Sequence, residues 1–573
     1  MPLTNQEIAE RFERTAVLLE LQDANPFRIR AYQSAAQTIA NLPHNLAELA
    51  EAADGLQGLP GIGADLADKI RELLRSGTFG LLAELEAKTP AVQLAMLKLP
   101  GLGPKRVRQL AQSLKPDSLE DLKRAAENRR IRALPGFGPK LEEQILAGIA
   151  QREANPERTL WAMAEPAVEA LLVYLRATPG VEEATAAGSF RRRKETVGDV
   201  DILLTSRAAE KPLDFFGPYP DIARVQAEGP TRATVILRSG LQVDVRAVPA
   251  ESYGAALHYF TGSQAHNIAV RKLAQKKGYK LNEYGLFKGS RRIAGKNEEE
   301  IFRRLGLVYV EPELREASGE LEAAVSGSLP RLVSLPDLRG DLHCHTDETD
   351  GTAGLLEMAE AAQALGYAYL GITDHSQHVT VARGLDARRL RKQLEAIDAA
   401  NARLKHFTLF KGLEVDILED GRLDLPDEVL DDLDYTVGSV HFKFNLPAER
   451  QTERILRAMD NPHFTILGHP TGRLLNNRPP YPLDLERVVA GAKERGCFLE
   501  LNSHPERLDL NDVHCRLAKE AEVRVAVSSD AHSPVGLRSL RFGVNQARRG
   551  WLEPADVLNT RSVAELRKLF RRK

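Results

Sequence analysis

Seven short runs, rich in apolar and β-branched residues, recur through residues 339–573: DLHCHT (341–346), YLGITDH (369–375), LFKGLEVDI (409–417), YTVGSVHF (435–442), TILGHP (465–470), CFLELNS (497–503) and RVAVSSDAH (524–532). They alternate with segments patterned as helices, which predicts a parallel α/β barrel. Two earlier runs alternate strictly. DVDILL (199–204) puts Asp199 and Asp201 on one face and Val200 and Ile202 on the other, and LQVDVRAV (241–248) carries Asp244 in the same way. The start of the chain reads as helices instead, with one pattern in three copies: LPGIGADLADKI (59–70), LPGLGPKRVRQL (99–110) and LPGFGPKLEEQI (134–145). Each is Leu-Pro-Gly-apolar-Gly followed by an amphipathic helix.

At 573 residues, these patterns belong to several domains rather than one core. A net charge of −2 hides an uneven distribution: Arg191–Lys194, Lys276-Lys277, Arg291-Arg292 and Arg303-Arg304 are basic, while 413–434 is acidic. A neutral chain can therefore still grip phosphate locally. Three scattered cysteines exclude a disulfide framework. The polar N-terminus has no signal-peptide core and no apolar stretch reaches membrane-spanning length, so the expectation is a cytoplasmic, nucleoid-associated protein without a membrane partner.

In the repeats, the glycine pairs Gly61 and Gly63, Gly101 and Gly103, and Gly136 and Gly138 allow a tight turn that presents N–H groups at a helix N-terminus, which suits a phosphate. Lys105 and Lys140 add charge to the later two copies, where the first has Asp65. The pattern is that of the helix-hairpin-helix, a reader of DNA backbone. Lys69 departs from Gln109 and Gln144 of the other copies. The segment NPFRIRAYQSAA (25–36), with Arg28 and Tyr32, resembles the lyase domain of family X DNA polymerases, which implies a Schiff-base role for Lys69. Gln33 and Ser34 stand where the eukaryotic pattern is basic, and a solvated helix lysine is the plain alternative.

The pattern Gly188-Ser189-Phe190-Arg191-Arg192, then Gly198-Asp199-Val200-Asp201, then Asp244 on a later strand, resembles the nucleotidyltransferase palm of DNA polymerase beta and its family X relatives. Converging carboxylates suit a two-metal site. The resemblance implies Mg²⁺ or Mn²⁺ on Asp199, Asp201 and Asp244, with Gly188, Ser189, Arg192 and Gly198 at the triphosphate. It extends into Tyr259, Phe260, Gly262, Asn267 and Arg271, which it places around the incoming nucleotide and template base.

Nine ligand-type side chains, His343, His345, Asp350, His375, Glu414, His441, His469, Asp530 and His532, stand at the ends of the barrel runs, the end where such barrels do their chemistry. HCHTDETDG, ITDH, GLEVDI, GSVHF, LGHP and SDAH resemble the polymerase and histidinol phosphatase (PHP) domain. The resemblance implies a distorted (βα)7 barrel with up to three Zn²⁺, Mn²⁺ or Fe ions. One would be held by His343, His345, Glu414 and Asp530, a second by Glu414, His441 and His469, and a third by Asp350, His375 and His532. Cys344 should point into the core, His504 is a bystander, and Arg473 or Arg507 could meet phosphate.

The expected chain is multidomain, α+β and α/β: a lyase-like helical domain (1–85), fingers with two helix-hairpin-helix motifs (86–155), palm (156–250), thumb (251–313), a flexible linker (314–338) and a PHP barrel (339–573). It resembles a bacterial-type family X DNA polymerase. That implies a monomeric repair enzyme that uses dNTPs on gapped or nicked double-stranded DNA. It also implies a 3′–5′ exonuclease, with abasic-site endonuclease or 3′-phosphatase action as extensions. The rival is a DNA-end-binding scaffold with a phosphatase-type barrel and no polymerase activity.

Overall fold

The three hairpin turns fold alike in the computed structural model. The first glycine of each lies in the left-handed region, at φ +78°, +79° and +80° for Gly61, Gly101 and Gly136, where a side chain would be strained. The next amide reaches back over the turn in each copy: Ile62 N donates to Leu59 O (3.1 Å), Leu102 N to Leu99 O (3.1 Å) and Phe137 N to Leu134 O (3.1 Å). The two glycines of each pair divide the work. Gly63, Gly103 and Gly138 lie outside the left-handed region, and a Cβ on any of them would meet nothing within 4 Å. Gly103, at φ −81° and ψ 173°, is an extended N-cap. The first glycine alone has already reversed the chain. The second only leads into the helix, its carbonyl accepting from Ala67, Val107 or Glu142 in turn.

A helix follows at Ala64–Ser76, Pro104–Leu114 and Pro139–Ala154. Their apolar faces enter one core that runs from Ile8 to Ile149, so the two helical domains expected at 1–85 and 86–155 share a single interior. The structure describes residues 5–40, 46, 50, 56, 59, 61–76, 78–97, 99, 101–154, 158–206, 212–216 and 219–571; Pro60 and Pro100 of the repeats and the first four residues lie outside them.

Two compact units make up the chain, one of residues 1–157 with 379–384 and the other of 158–378 with 385–573. The second begins with a five-stranded sheet in the order Val181–Ala186, Asp199–Ser206, Gln242–Ala247, Arg232–Leu237, Ile222–Glu228. Only the Asp199–Ser206 and Gln242–Ala247 strands pair in parallel. The Tyr253–Thr261 and Gln264–Lys276 helices and a small three-stranded sheet follow.

The seven apolar runs each form a strand. Gly340–Cys344, Tyr369–Ile372 and Thr408–Lys411 pair in parallel, as do Glu414–Asp416, Val437–Ser439, Ile466–Leu467, Phe498–Asn502 and Val525–Ser528. Thr408–Lys411 and Glu414–Asp416 are two halves of one run bent at Gly412-Leu413. Asp530 N donates to His343 O (3.0 Å) and His345 N to Ala531 O (2.9 Å), which closes the last strand onto the first. The result is a seven-stranded parallel barrel with helices outside, as expected. Cys344 is fully buried in its core.

Residues 314–338, expected to be a flexible linker, form a packed strap. It holds the Glu320–Ser326 helix, a fully buried Arg315, and Leu332 in the same core as Ile301 and Trp551. The physical reason is polar as well as apolar. Arg315 pairs with the buried Glu298, and Glu320 accepts from the buried His266 (2.6 Å). A tether could not supply these partners. No helix among the described residues is long and apolar enough to cross a membrane.

Candidate active sites and metal centre

The sheet acids come from the two parallel strands. The register sets Asp201 directly across from Asp244, with Asp199 two residues along the same face. Val200 and Ile202 fill the opposite face and are fully buried. Asp244 is fixed by donors: the Thr234 hydroxyl, the Arg232 guanidinium (Nη2 to Oδ1, 2.7 Å) and the Gln242 amide (3.0 Å). Burial pushes its carboxyl up, but these hydrogen bonds outweigh it and leave the group below the usual range. Asp201 has the opposite balance. Burial, then the charges of Asp199 and Asp244, pushes its pKa up to about 6. Carboxylates this crowded repel one another, and a divalent cation would relieve them. The Gly188–Arg191 turn lies against them; a Cβ on Gly188 would sit 2.7 Å from Asp201 Oδ2, so only glycine fits.

Arg192 is not open to solvent as a free phosphate grip. It donates to Glu316 (3.0 Å) and to Thr261 O beside Gly262. Ser189 is half-buried one residue into the same turn, and Gly198 lies against Arg158. Tyr259 and Phe260 meet edge to face at 5.1 Å, with Arg246 over the Phe260 ring. Asn267 donates to Tyr259 O (2.6 Å) while its buried Oδ1 makes no hydrogen bond, and Arg271 donates to Asn267 O (3.3 Å). Tyr259, Asn267 and Arg271 thus form one patch on neighbouring helices.

In the helical unit Lys105 and Lys140 are exposed. The open space over Gly63, Gly103 and Gly138 leaves room for a phosphate to approach the backbone beside them. Lys69 is different, being ion-paired to Asp65 on its own helix.

The nine barrel residues converge, and Glu414 is their hub. Its carboxylate oxygens lie 2.7 Å from His375, 3.0 Å from His469, 3.2 Å from His441, 3.5 Å from His343 and 3.6 Å from His345. Asp530 lies 3.1 Å from His345 and 3.7 Å from His343. Asp350 lies 3.4 Å from His375 and 3.3 Å from His532. Three groups have ligand atoms close enough to hold an ion: His343, His345 and Asp530; His375, Glu414 and His441; and His345, Asp350, His375 and His532. The partition differs from the expected one. His345 and His375 each serve two groups, because their rings stack at 4.4 Å and present opposite nitrogens to different carboxylates. His343 Nε2 and Glu414 Oε2 are buried and make no hydrogen bond, an orphaned imidazole–carboxylate pair that fits a divalent metal. Burial and the neighbouring His532 and His375 bring His345 down to about 3, which keeps it neutral and its lone pair available. Burial also opposes charge on His343, but Glu500, Asp530 and Glu414 outweigh it and raise its pKa, the same carboxylate field that would favour a cation at its Nε2.

Glu500 was not singled out from the sequence. One oxygen takes His343 Nδ1 (2.7 Å) and the other takes His469 N (2.6 Å), while Asn502 on the same strand donates to Asp530 (3.0 Å). Asp416 supports His441 Nδ1 (3.1 Å). A signal was present: Glu500 and Asn502 alternate toward the ligand face, and Asp416 stands two after Glu414. Arg473 is a correction. It pairs with Glu195 of the sheet domain (2.7 Å) instead of facing the cluster. Arg507 does face it, 3.7 Å from Asp530.

Residues 3–79 match a helix-hairpin-helix domain, 94–151 a SAM-like helix-hairpin-helix tandem, 167–217 the DNA polymerase beta palm, 256–316 the DNA polymerase beta thumb and 341–504 the PHP domain. The chain is 36% identical over 571 residues to the DNA polymerase/3′-5′ exonuclease PolX of Bacillus subtilis (strain 168), covering 99% of both chains. A probable phosphatase of Thermoanaerobacter sp. (strain X514) is 30% identical over 41% of this chain and 94% of its own length. DNA polymerase lambda of Rattus norvegicus is 28% identical over 44% of this chain and 47% of its own. Identity spread over the whole length, with palm, thumb and PHP segments in one order, leaves one assignment: this chain belongs to the family X DNA polymerases that carry a C-terminal PHP domain.

Proposed function

We propose that this chain fills short gaps in DNA by template-directed nucleotide addition at Asp199, Asp201 and Asp244, and removes nucleotides from 3′ ends in its barrel, as a repair enzyme. The observation that carries the reading is the parallel register that sets Asp201 across from Asp244 with Asp199 on the same face. Those acids would hold Mg²⁺ or Mn²⁺, and the Glu414-centred cluster up to three Zn²⁺, Mn²⁺ or Fe ions. Ions bound there supply Lewis-acid charge to phosphoryl oxygens and to the attacking oxygen.

The chain's own groups do the rest. Ser189 and Arg192 meet the triphosphate at the turn beside Asp201. Tyr259 and Phe260 border the incoming sugar, and Asn267 and Arg271 the base pair. Asp244, locked by Arg232, Thr234 and Gln242, keeps one geometry through the cycle. The glycine turns with Lys105 and Lys140 hold backbone phosphates without reading sequence. In the barrel, Arg507 offers a cation to the phosphate being cut, while Glu500 and Asp416 orient His343 and His441. Abasic or 3′-phosphate ends would meet the same groups. The partners are gapped or nicked duplex DNA and dNTPs, bound by a monomer in the cytoplasm at the nucleoid. Lys69 would form a Schiff base with an abasic sugar, releasing the exposed Asp65 that pairs with it on the same helix.

The test is a labelled primer on gapped DNA with Mg²⁺ or Mn²⁺. With dNTPs the primer should lengthen to fill the gap. Without them it should shorten from its 3′ end. A primer that stays unchanged in both conditions would leave the scaffold reading in place.

A further inference from the structure

Three cations share the Glu316 carboxylate at the turn Gly188–Glu195. Arg192 Nε donates to its Oε1 at 3.0 Å, Arg549 Nη1 to the same oxygen at 3.1 Å, and Lys194 Nζ lies 3.9 Å away. Arg549 comes from the barrel helix Leu540–Arg549, is almost fully buried, and also donates to Arg192 O (2.8 Å) and to Asp512. The group holds three positive side chains against two carboxylates, Glu316 and Asp512, so it carries one excess positive charge. Such a group accepts a further anion more readily than it loses one. The next residues of the turn are held from the barrel too: Arg193 by Asn545 and Glu195 by Arg473 and Gln546.

We propose that Glu316 competes with the triphosphate of the incoming nucleotide for Arg192, and that Arg549 is a positioning residue that makes the exchange possible. When phosphate takes the Arg192 guanidinium, Glu316 remains satisfied by Arg549 and Lys194 and needs no proton. The backbone of Arg192 stays in place because Arg549 still donates to its carbonyl. Burial favours the neutral form of Glu316, but Arg192, Arg549 and Lys194 hold it ionised, consistent with a carboxylate that remains charged throughout. The barrel thus completes the nucleotide site of the polymerase half. The inference rests on Arg192 gripping the triphosphate, as proposed above.

The experiment is single-nucleotide insertion on one-gap DNA by the full chain, with dNTP titrated for the wild type, Glu316→Gln, Arg549→Met and Arg192→Ala, and folding checked by thermal melting. Glu316→Gln removes the competing charge and should lower KM for dNTP roughly fivefold with kcat unchanged, the size expected for a partly exposed ion pair. Arg549→Met leaves Glu316 with Arg192 as its main partner, so KM should rise with kcat little altered. Damage to the fold alone would not tighten nucleotide binding. If Arg192→Ala raises KM while Glu316→Gln leaves it unchanged or raises it, the competition is overturned and the grip stands. If Arg192→Ala leaves KM unchanged, the grip itself is wrong and the competition falls with it.

Discussion

Asp201 has an ordinary carboxyl value of 3.8 that burial and then Asp199 and Asp244 raise to about 6. Between those values the folded chain binds a proton that the unfolded chain has released. Stability contributed by this group is therefore present at low pH and lost as pH climbs through the window. Asp201→Asn should stabilise the metal-free protein by about 1–3 kcal/mol at about pH 8 and by little at about pH 4. Denaturant melts at both values check this, and equal gains would mean that charge crowding is not the cause. In the barrel, Glu500→Gln removes a carboxylate that braces two ligands; metal affinity should drop about 10- to 100-fold with polymerisation intact, read by metal titration of the chelated protein. The acids and the nine ligands were legible in the sequence because they are the chemistry itself. Glu500 and Glu316 were not, because their roles depend on which imidazole or guanidinium arrives from a distant segment.

At the scale of elements, what could be read was local. Three similar turns needed only the glycine spacing, and in all three the first glycine is left-handed and the next amide closes on the leucine carbonyl. Spacing alone did not say which glycine of each pair bears the strain. Gly61, Gly101 and Gly136 do, while Gly63, Gly103 and Gly138 keep ordinary backbone. The barrel strands were readable from apolar runs ending in ligand types. Lys105→Glu with Lys140→Glu should weaken DNA binding alike on all sequences and lower the salt slope by about one unit for each phosphate no longer neutralised. An unchanged slope in filter binding across a salt series would make the hairpins structural only. The strap at 314–338 was misread because its glycines, serines and prolines look like a tether. Its hold on the fold comes from Leu314, Leu332 and Val333 in the cores and from Arg315 and Glu320 reaching buried partners at Glu298 and His266, a pairing that composition does not reveal.

For the molecule as a whole, palm and barrel are joined by side chains that no local pattern marks. Phe542 of the barrel packs edge to face on Trp161 at 6.1 Å and belongs, with Leu508, to the palm core. Around them lie the ion pairs of Arg473 with Glu195 and of Arg541 with Glu165. Phe542→Ala should therefore cost about 3 kcal/mol and lower the temperature at which polymerase activity is lost, although the residue sits in the barrel. If only the exonuclease becomes heat-sensitive, the two halves unfold independently. Joined packing does not merge the chemistry, since the acids lie on a sheet and the histidines at barrel strand ends. The most direct test measures bound metal, gap filling and 3′–5′ degradation on single batches of His343→Ala and Asp244→Ala. Two separate centres predict that His343→Ala loses barrel metal and degradation but still extends primers, and that Asp244→Ala stops extending but still degrades. A folded His343→Ala protein that keeps full exonuclease activity, or an Asp244→Ala protein that extends at the wild-type rate, would contradict it.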